Sequence, residues 1–227
     1  GTAMTGTQDG TDAGAQAPLH LVILGHPRED SVNHAIAAAY VEAVRAAGQR
    51  AELRDLYAMG FDALLRATDG SDADAPDIAR DVALLDTCDA IVFVYPVWFG
   101  MPPAIIKGYV DRVFGARFEP EHVMEGALVA SRLRGRHFLT FSTSAATLPW
   151  LDHGAQWEAM RRAFDRYLAR IFGFSTADHV HFDTVVQDCT PHHVDDILTR
   201  TREAAAYTCE AVAEEAHGRA MRGRSGA

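Results

Sequence analysis

The sequence predicts an α/β domain: a doubly wound, five-stranded parallel sheet of order 2-1-3-4-5 with helices on both faces. Three observations point to it. Short, β-prone apolar runs alternate with longer stretches of helical spacing, the pattern of a parallel sheet whose crossovers cover its two faces. The apolar runs are continuous, as buried strands are. Finally, the 227 residues, 48% apolar and 23% charged, suffice for one good core, and no repeat, heptad or second-domain boundary divides them.

Residues 1–17 are rich in Gly, Thr, Ala, Asp and Gln, lack periodicity and read as a disordered segment, those before Met4 as a cloning remnant. The domain spans 18–217. Its first strand is His20–Gly25 (HLVILG), followed by a polar loop and a helix over Asn33–Ala47, with Ile36, Tyr40, Val41 and Val44 at helical spacing and Gly48 at its end. Ala51–Asp55 alternates as the second strand, Thr68–Ala75 is an exposed Gly/Asp-rich loop, and Pro76–Thr87 is helical. Ala90–Tyr95 (AIVFVY) is the clearest buried strand, and Ile105–Phe114 is a helix introduced by Pro102–Pro103. His137–Ser142 (HFLTFS) is the fourth strand, Gln156–Phe172 a helix, His179–Phe182 a short fifth strand and His193–His217 a long last helix; residues 218–227 form a tail expected to fray. Between Phe114 and Arg136 the chain is long and irregular, an excursion suited to a lid or a partner surface.

The net charge of −10 argues against nucleic acid and anionic membrane surfaces as partners. It leaves room for a phosphate, which a few oriented N–H groups and one imidazole can hold on an acidic protein. No stretch is apolar enough to span a bilayer and the N-terminus lacks a signal-peptide layout. Cys88, Cys189 and Cys209 are far apart and form no C-x-x-C, which fits a reducing cytoplasm without disulfides.

In a sheet of this order a ligand belongs at the carboxyl ends of the first and third strands, where the winding reverses. The loop His26–Asn33 (HPREDSVN) is not G-x-G-x-x-G, and no G-x-x-x-x-G-K-[ST] occurs, which disfavours a dinucleotide pocket and an NTPase. It offers the Ser31 hydroxyl, the Asn33 amide and the N–H groups of a helix start, a set suited to a phosphate monoester, with His26 adding a hydrogen bond or a charge. Alternatively, Ser31 caps the helix and His26 is a turn residue. After the third strand come Pro96, Val97, Trp98, Phe99 and Gly100. Two large aromatics in a loop need a flat cover, such as an isoalloxazine ring, unless they pack into the core or a dimer interface.

Together, H-P-R-E-D-S-V-N-H-A-I (His26–Ile36), D-L-Y-A-M (Asp55–Met59) and Y-P-V-W-F-G-M-P-P-A-I-I-K-G-Y-V-D-R-V-F (Tyr95–Phe114) resemble the NAD(P)H:quinone oxidoreductase family of flavodoxin-like proteins. The resemblance implies a tightly bound flavin, obligate two-electron reduction of quinones with NAD(P)H as co-substrate, and a homodimer with both active sites at the subunit interface. Carried over, His26, Ser31, Val32 and Asn33 hold the flavin phosphate, and Pro96, Val97, Trp98 and Phe99 line the isoalloxazine. The family's Thr-Thr-Gly-Gly-like loop at the pyrimidine edge corresponds to Ser142-Thr143-Ser144-Ala145, so Thr143, Ser144 and Ala145 join the flavin site, with small residues in place of both glycines.

Two departures stand out. Where mammalian-type members have a Tyr and then a His near the reacting ring, this chain has Trp150 and, sooner than expected, His153; a Trp cannot supply the phenol. Where FAD-using members have an Arg near the start of the last helix, the matching position is Asp195, so FAD and FMN both stay open. The expected chemistry is the flavin's, with N–H groups of Ser144 and Ala145 and His153 stabilising charge near N1 and O2, and His153 donating a proton to the acceptor oxygen. The alternatives are a reductase of nitro or azo compounds or of a specific biosynthetic intermediate, and a regulatory flavin-binding protein. His179-x-His181 puts two rings on one strand face, as a metal pair needs, but no third ligand is evident and no metal is predicted. His192–His193 reads as a solvent-facing pair at a helix start, and Lys107, Asp111 and Arg112 as structural ion pairs or interface contacts.

Overall fold

The computed structural model describes residues 16–120 and 131–225. Most of the segment 1–17, part of the 114–136 excursion and the last two residues of the tail therefore lie outside the described residues.

The sheet is five-stranded and wholly parallel, in the order β2-β1-β3-β4-β5. Its strands are β1 (Leu19–Leu24), β2 (Arg50–Asp55), β3 (Ala90–Pro96), β4 (His137–Thr143) and β5 (Asp178–Phe182). The period-two alternation of side chains divides the apolar residues between two layers. Leu21, Ile23, Ile91, Phe93, Tyr95 and Phe138 face one side, where Phe93 meets Tyr109, Phe114, Phe138 and Phe164 at ring-centroid distances of 5.4–6.4 Å. Val22, Leu24, Val92, Val94, Leu139, Phe141 and Phe182 face the other. Each of these large side chains contributes about 1.5–3 kcal/mol by leaving water.

On the second side lie α1 (Val32–Ala46) and the long α7 (Pro191–Ser225), which bury Ile36, Tyr40 and Val44 against Ile197, Ala205 and Cys209. On the first side lie α2 (Ala79–Thr87) and α3 (Ala104–Tyr109), the latter continued by a wider π turn over Val110–Phe114. The connection from β4 to β5 holds α4 (Leu148–His153), α5 (Gln156–Met160), a π turn at Arg161–Arg166 and α6 (Tyr167–Phe172). No helix among the described residues is long and apolar enough to cross a membrane.

The elements expected from the sequence are present with their ends shifted. The last helix begins at Pro191, where proline suits a first turn, and continues to Ser225 through most of the tail expected to fray. Ala220, Met221 and the arginines there are strong helix formers. The second helix starts at Ala79 rather than Pro76, because Ala75–Ala79 closes as turns in which Ile78 donates to Ala75 and Ala79 to Pro76. Asp111 and Arg112 do not pair with each other. Asp111 meets Lys107 at 2.5 Å on the surface, while Arg112 turns inward to Asp72, Asp77 and the Asp62 carbonyl, pinning the loop between β2 and α2.

Candidate active site

The sheet positions the site by ending β1 and β3 together: the Gly25 amide donates to the Val94 carbonyl at 3.0 Å. A Cβ on Gly25 would lie 2.8 Å from Ile106, so glycine lets α3 approach the end of β1. Two adjoining cavities open along this carboxyl edge, of about 390 and 580 Å³. Every site residue expected from the sequence borders one or both. His26, Ser31, Val32, Asn33, Pro96, Trp98 and Thr143 line the first, Phe99, Trp150 and His153 the second, and Val97, Ser144 and Ala145 both.

At the first cavity α1 begins. Ser31 is its N-cap: Oγ accepts from the His34 amide at 3.2 Å and lies 2.8 Å from His34 Nδ1. The amides of Val32 and Asn33, at the positive end of the helix dipole, have no partner among the described residues. The Asn33 side chain is committed elsewhere, its Nδ2 donating to Thr143 Oγ1 at 3.0 Å and tying α1 to the end of β4. His26 accepts from the Arg28 amide through Nδ1, and partial burial lowers its pKa, which keeps the imidazole neutral at pH 7.

The aromatic loop closes as a two-residue turn in which Trp98 and Met101 exchange both backbone hydrogen bonds at 3.0 and 3.1 Å. Its central residues, Phe99 (φ +52°) and Gly100 (φ +74°), both have positive φ, the signature of a type I′ turn. Phe99 is fully exposed and Trp98 is 41% exposed, so neither belongs to the core. Gln156 braces the turn by donating to the Gly100 carbonyl at 2.9 Å.

Beyond β4, the Ser144 amide donates to Phe182 and the Ser144 carbonyl accepts from Val185. The Ser144 N–H, expected from the sequence to face a ring, is thus occupied by the neighbouring strand; the Ala145 N–H has no partner among the described residues. Thr147 caps α4, which holds Trp150, 70% exposed, and the exposed His153 at the rim of the second cavity. Asp195 is exposed on α7 and borders neither cavity.

Several lining residues had no sequence signal. Val185, Val186, Gln187 and Cys189 come from the β5–α7 connection and Val194 from the first turn of α7, and only the fold brings them to the first cavity. His179 and His181 do share one strand face, but their partners are serines and a carboxylate. Among the described residues no group of three or more His, Cys, Asp or Glu side chains is arranged to hold a metal ion.

A doubly wound sheet with its cavities at the β1/β3 switch point defines a ligand-binding α/β protein. A family profile for the flavodoxin-like fold matches residues 19–207, and the chain belongs to that family. It is 33% identical over 120 residues to NAD(P)H dehydrogenase [quinone] 1 of Cavia porcellus, a match covering 43% of each chain. Over 104 residues it is 35% identical to an uncharacterized NAD(P)H oxidoreductase of Haemophilus influenzae, covering 44% of this chain and 52% of the relative. The matches thus span about half the length of these curated relatives. Among solved structures, an NAD(P)H:quinone oxidoreductase from Methanothermobacter marburgensis superposes with a TM-score of 0.63 at 22% identity, covering 84% of this chain and 98% of that one. An FMN-dependent NADH-azoreductase from Bacillus anthracis in complex with FMN gives 0.63 at 14% identity, covering 85% and 99%.

Proposed function

We propose that this chain is a flavin-dependent NAD(P)H oxidoreductase that carries out two-electron reduction of a quinone or a related acceptor. The observation that carries this reading is the joined pair of cavities at the switch point, with open helix amides at one end and an exposed aromatic turn at the other. The residues fit FMN or the FMN half of FAD. The Val32 and Asn33 amides suit a phosphate, Pro96, Val97, Trp98 and Phe99 offer a flat wall, and the Ala145 amide, beside Thr143 and Ser144, offers a donor to a polar ring edge. The bound flavin supplies the two-electron chemistry.

The chain's own residues bind, orient and move a proton. Ser31 shapes the phosphate end by capping α1, and His26, which lines the same cavity, serves it as a hydrogen-bonding group. His153, at the rim of the larger cavity, is the proton donor to the acceptor oxygen, and Trp150, which has no phenol, shapes the acceptor's surroundings. The relatives' names support NAD(P)H and quinone, and the azoreductase neighbour supports FMN and an azo acceptor. The exposed Trp98, Phe99, Met101 and Trp150 support a homodimer closing over the site, and three thiols without a disulfide support a cytoplasmic setting.

Purified protein mixed with FMN or FAD is then titrated anaerobically with NADH or NADPH. Bound flavin that bleaches on addition and recovers with quinone supports the reductase, and chromatography of the released flavin identifies it. Flavin that binds but stays oxidised points to the regulatory alternative. Failure to bind either flavin removes the proposal.

A further inference from the structure

Behind the candidate site runs a string of polar side chains that flavin binding does not require. In the β4–β5 ladder Ser142 is opposite His181 and Thr140 opposite His179, so all four share the sheet face covered by α5 and the π turn after it. From that turn the fully buried Asp165 is hydrogen-bonded to His179 Nδ1. His179 Nε2 lies 2.6 Å from Ser142 Oγ, which lies 2.7 Å from His181 Nδ1. His181 Nε2 lies 2.8 Å from Ser144 Oγ, and Ser144 Oγ lies 2.8 Å from the Ala146 carbonyl oxygen. Trp157 covers both imidazoles, with centroids 4.7 and 5.2 Å away. Ser144 borders both cavities; Ser142 and the His179 side chain are sealed inside.

The donors and acceptors permit two complete arrangements. In the first, neutral His179 donates through Nδ1 to the Asp165 carboxylate and accepts the Ser142 hydroxyl at Nε2. His181 then donates from Nδ1 to Ser142, and Ser144 donates to His181 Nε2. In the second, every bond beyond Asp165 is reversed. His179 carries both ring protons, Ser142 donates to His181 Nδ1, His181 donates from Nε2 to Ser144, and Ser144 turns its hydrogen to the Ala146 carbonyl. The two arrangements differ by one proton, and the second acceptor at Ala146 is what makes the reversed one complete.

We propose that Asp165, His179, Ser142, His181 and Ser144 form a proton relay that exchanges one proton with the candidate site at Ser144 and stores it on His179 against Asp165. On release, the Ser144 O–H bond breaks toward the site. Ser144 Oγ takes the Nε2 proton of His181, His181 Nδ1 takes the Ser142 proton, and Ser142 Oγ takes the Nε2 proton of His179. His179 is left neutral, and one proton from water refills the relay by the same path. The use of the proton rests on the reductase reading: quinone to hydroquinone consumes one hydride, from NAD(P)H, and one proton, donated by His153, and the relay returns that proton to the cavity that Ser144 and His153 both border.

The surroundings favour His179 as the store. Burial and the adjacent His179 push His181 down to about 4, so the charge does not rest there. Asp165 lies against His179, Thr140 donates to its other oxygen at 3.4 Å, and Tyr95 of β3 brings a buried hydroxyl without a partner among the described residues. Asp183, just past β5, and Arg200 of α7 act on His181 with opposite signs. The string Asp165–His179–Ser142 has the composition of an acyl-transfer triad, but Ser142 is fully buried and shared by two imidazoles, so no carbonyl substrate reaches it. Asp165, His179, Ser142 and His181 are positioning residues that act through Ser144.

Nitrogen NMR of histidine-labelled protein, without flavin, tests the relay directly. Protonation of His179 at Nε2 is expected to coincide with a switch of His181 from the Nδ1–H to the Nε2–H tautomer. Ser142→Ala is expected to uncouple the two rings and Ser142→Thr to restore the coupling. A single His181 tautomer throughout the His179 titration overturns the relay, as does coupling that survives Ser142→Ala; should that variant not fold, the wild-type titration alone decides. With flavin bound, Ser142→Ala is expected to lower kcat for quinone on the order of 10²-fold with KM and flavin affinity unchanged. An unchanged kcat overturns the relay's use in turnover. Coupled rings in a protein that takes up no flavin sink the reductase reading and leave the relay standing; a working reductase with uncoupled rings does the reverse.

Discussion

Ser31 and His34 hold each other in place: Ser31 Oγ accepts the His34 amide and lies 2.8 Å from His34 Nδ1, while His34 Nε2 lies 2.9 Å from Asp55 Oδ2. The carboxylate requires Nε2 to donate, so a neutral His34 accepts the Ser31 hydroxyl at Nδ1. Ser31 is therefore first a helix cap, and under the proposed function the open amides after it are the donors left for a phosphate. Ser31→Ala is expected to lower the unfolding free energy of the flavin-free protein by about 1 kcal/mol in urea titrations. Ser31→Asp keeps a good cap but sets a negative charge at the same spot, so it retains stability and weakens FMN binding by about tenfold or more. Equal FMN affinity in wild type and Ser31→Asp would place the phosphate elsewhere.

Asp81 is a buried carboxylate held by Arg54 at 2.8 and 2.9 Å and by the Tyr109 hydroxyl at 3.1 Å. Removing one partner strands the other without compensation. Asp81→Ala is expected to cost about 3–5 kcal/mol in chemical denaturation. The double variant Arg54→Leu with Asp81→Leu is expected to recover most of that loss, since neither charge is then left unpaired. A mild effect of Asp81→Ala would show that water reaches Arg54.

The sheet order and the strands were legible because Leu21–Leu24 and Ile91–Val94 are apolar on both faces, which only a sheet covered on both sides requires. The switch point then pointed to the edge where the two cavities open, and the loops at Ser31 and Trp98 both line the first of them. What stayed hidden depends on partners distant in sequence. The Ser144 amide is taken by Phe182, and the sequence shows only that His179 and His181 share a strand face, not that Ser142 and Asp165 lie beside them. The helix Leu148–His153 did leave a local signal, Thr147 as cap with Pro149 in the first turn, but it is only six residues long.

Buried histidines make the fold sensitive to mild acid. His20 is buried, 2.8 Å from the Tyr40 hydroxyl and 2.7 Å from Gln49 Oε1, and burial lowers its pKa. The unfolded chain therefore binds more protons than the folded one below about pH 6.5. His20 stabilises fully above that pH, and its contribution is lost as pH falls toward its depressed folded value; His181 acts with the same sign. Urea unfolding at pH 7.5 and pH 5 is expected to show a clear loss in the wild type. His20→Gln is expected to be less stable at the higher pH but to lose less between the two. An equal loss in both proteins would assign the acid sensitivity to other groups.

His153 borders the larger cavity, is exposed and has no hydrogen-bond partner among the described residues, so nothing structural depends on it. Under the proposed function, in which it donates a proton to the acceptor, it is expected to matter to turnover alone. His153→Ala should leave urea stability and FMN affinity unchanged while kcat for quinone falls on the order of 10²-fold. Unaltered kcat would make His153 a bystander.

Phe99 occupies a left-handed conformation that a bulky residue adopts at a cost, and its ring gains nothing in return because it is fully exposed. A type I′ turn prefers Asn or Gly at this position. Phe99→Asn is therefore expected to raise the unfolding free energy by roughly 1 kcal/mol, the cost of the left-handed backbone for an L-residue. Under the proposed function the same change removes part of the wall beside the flavin and of the apolar face offered to a second copy. The variant should gain stability, bind FMN more weakly and elute as a smaller species in size-exclusion chromatography. A more stable Phe99→Asn protein with unaltered FMN affinity and size would mean that the exposed ring serves neither the cofactor nor the dimer, and its strain would then have no function in this site.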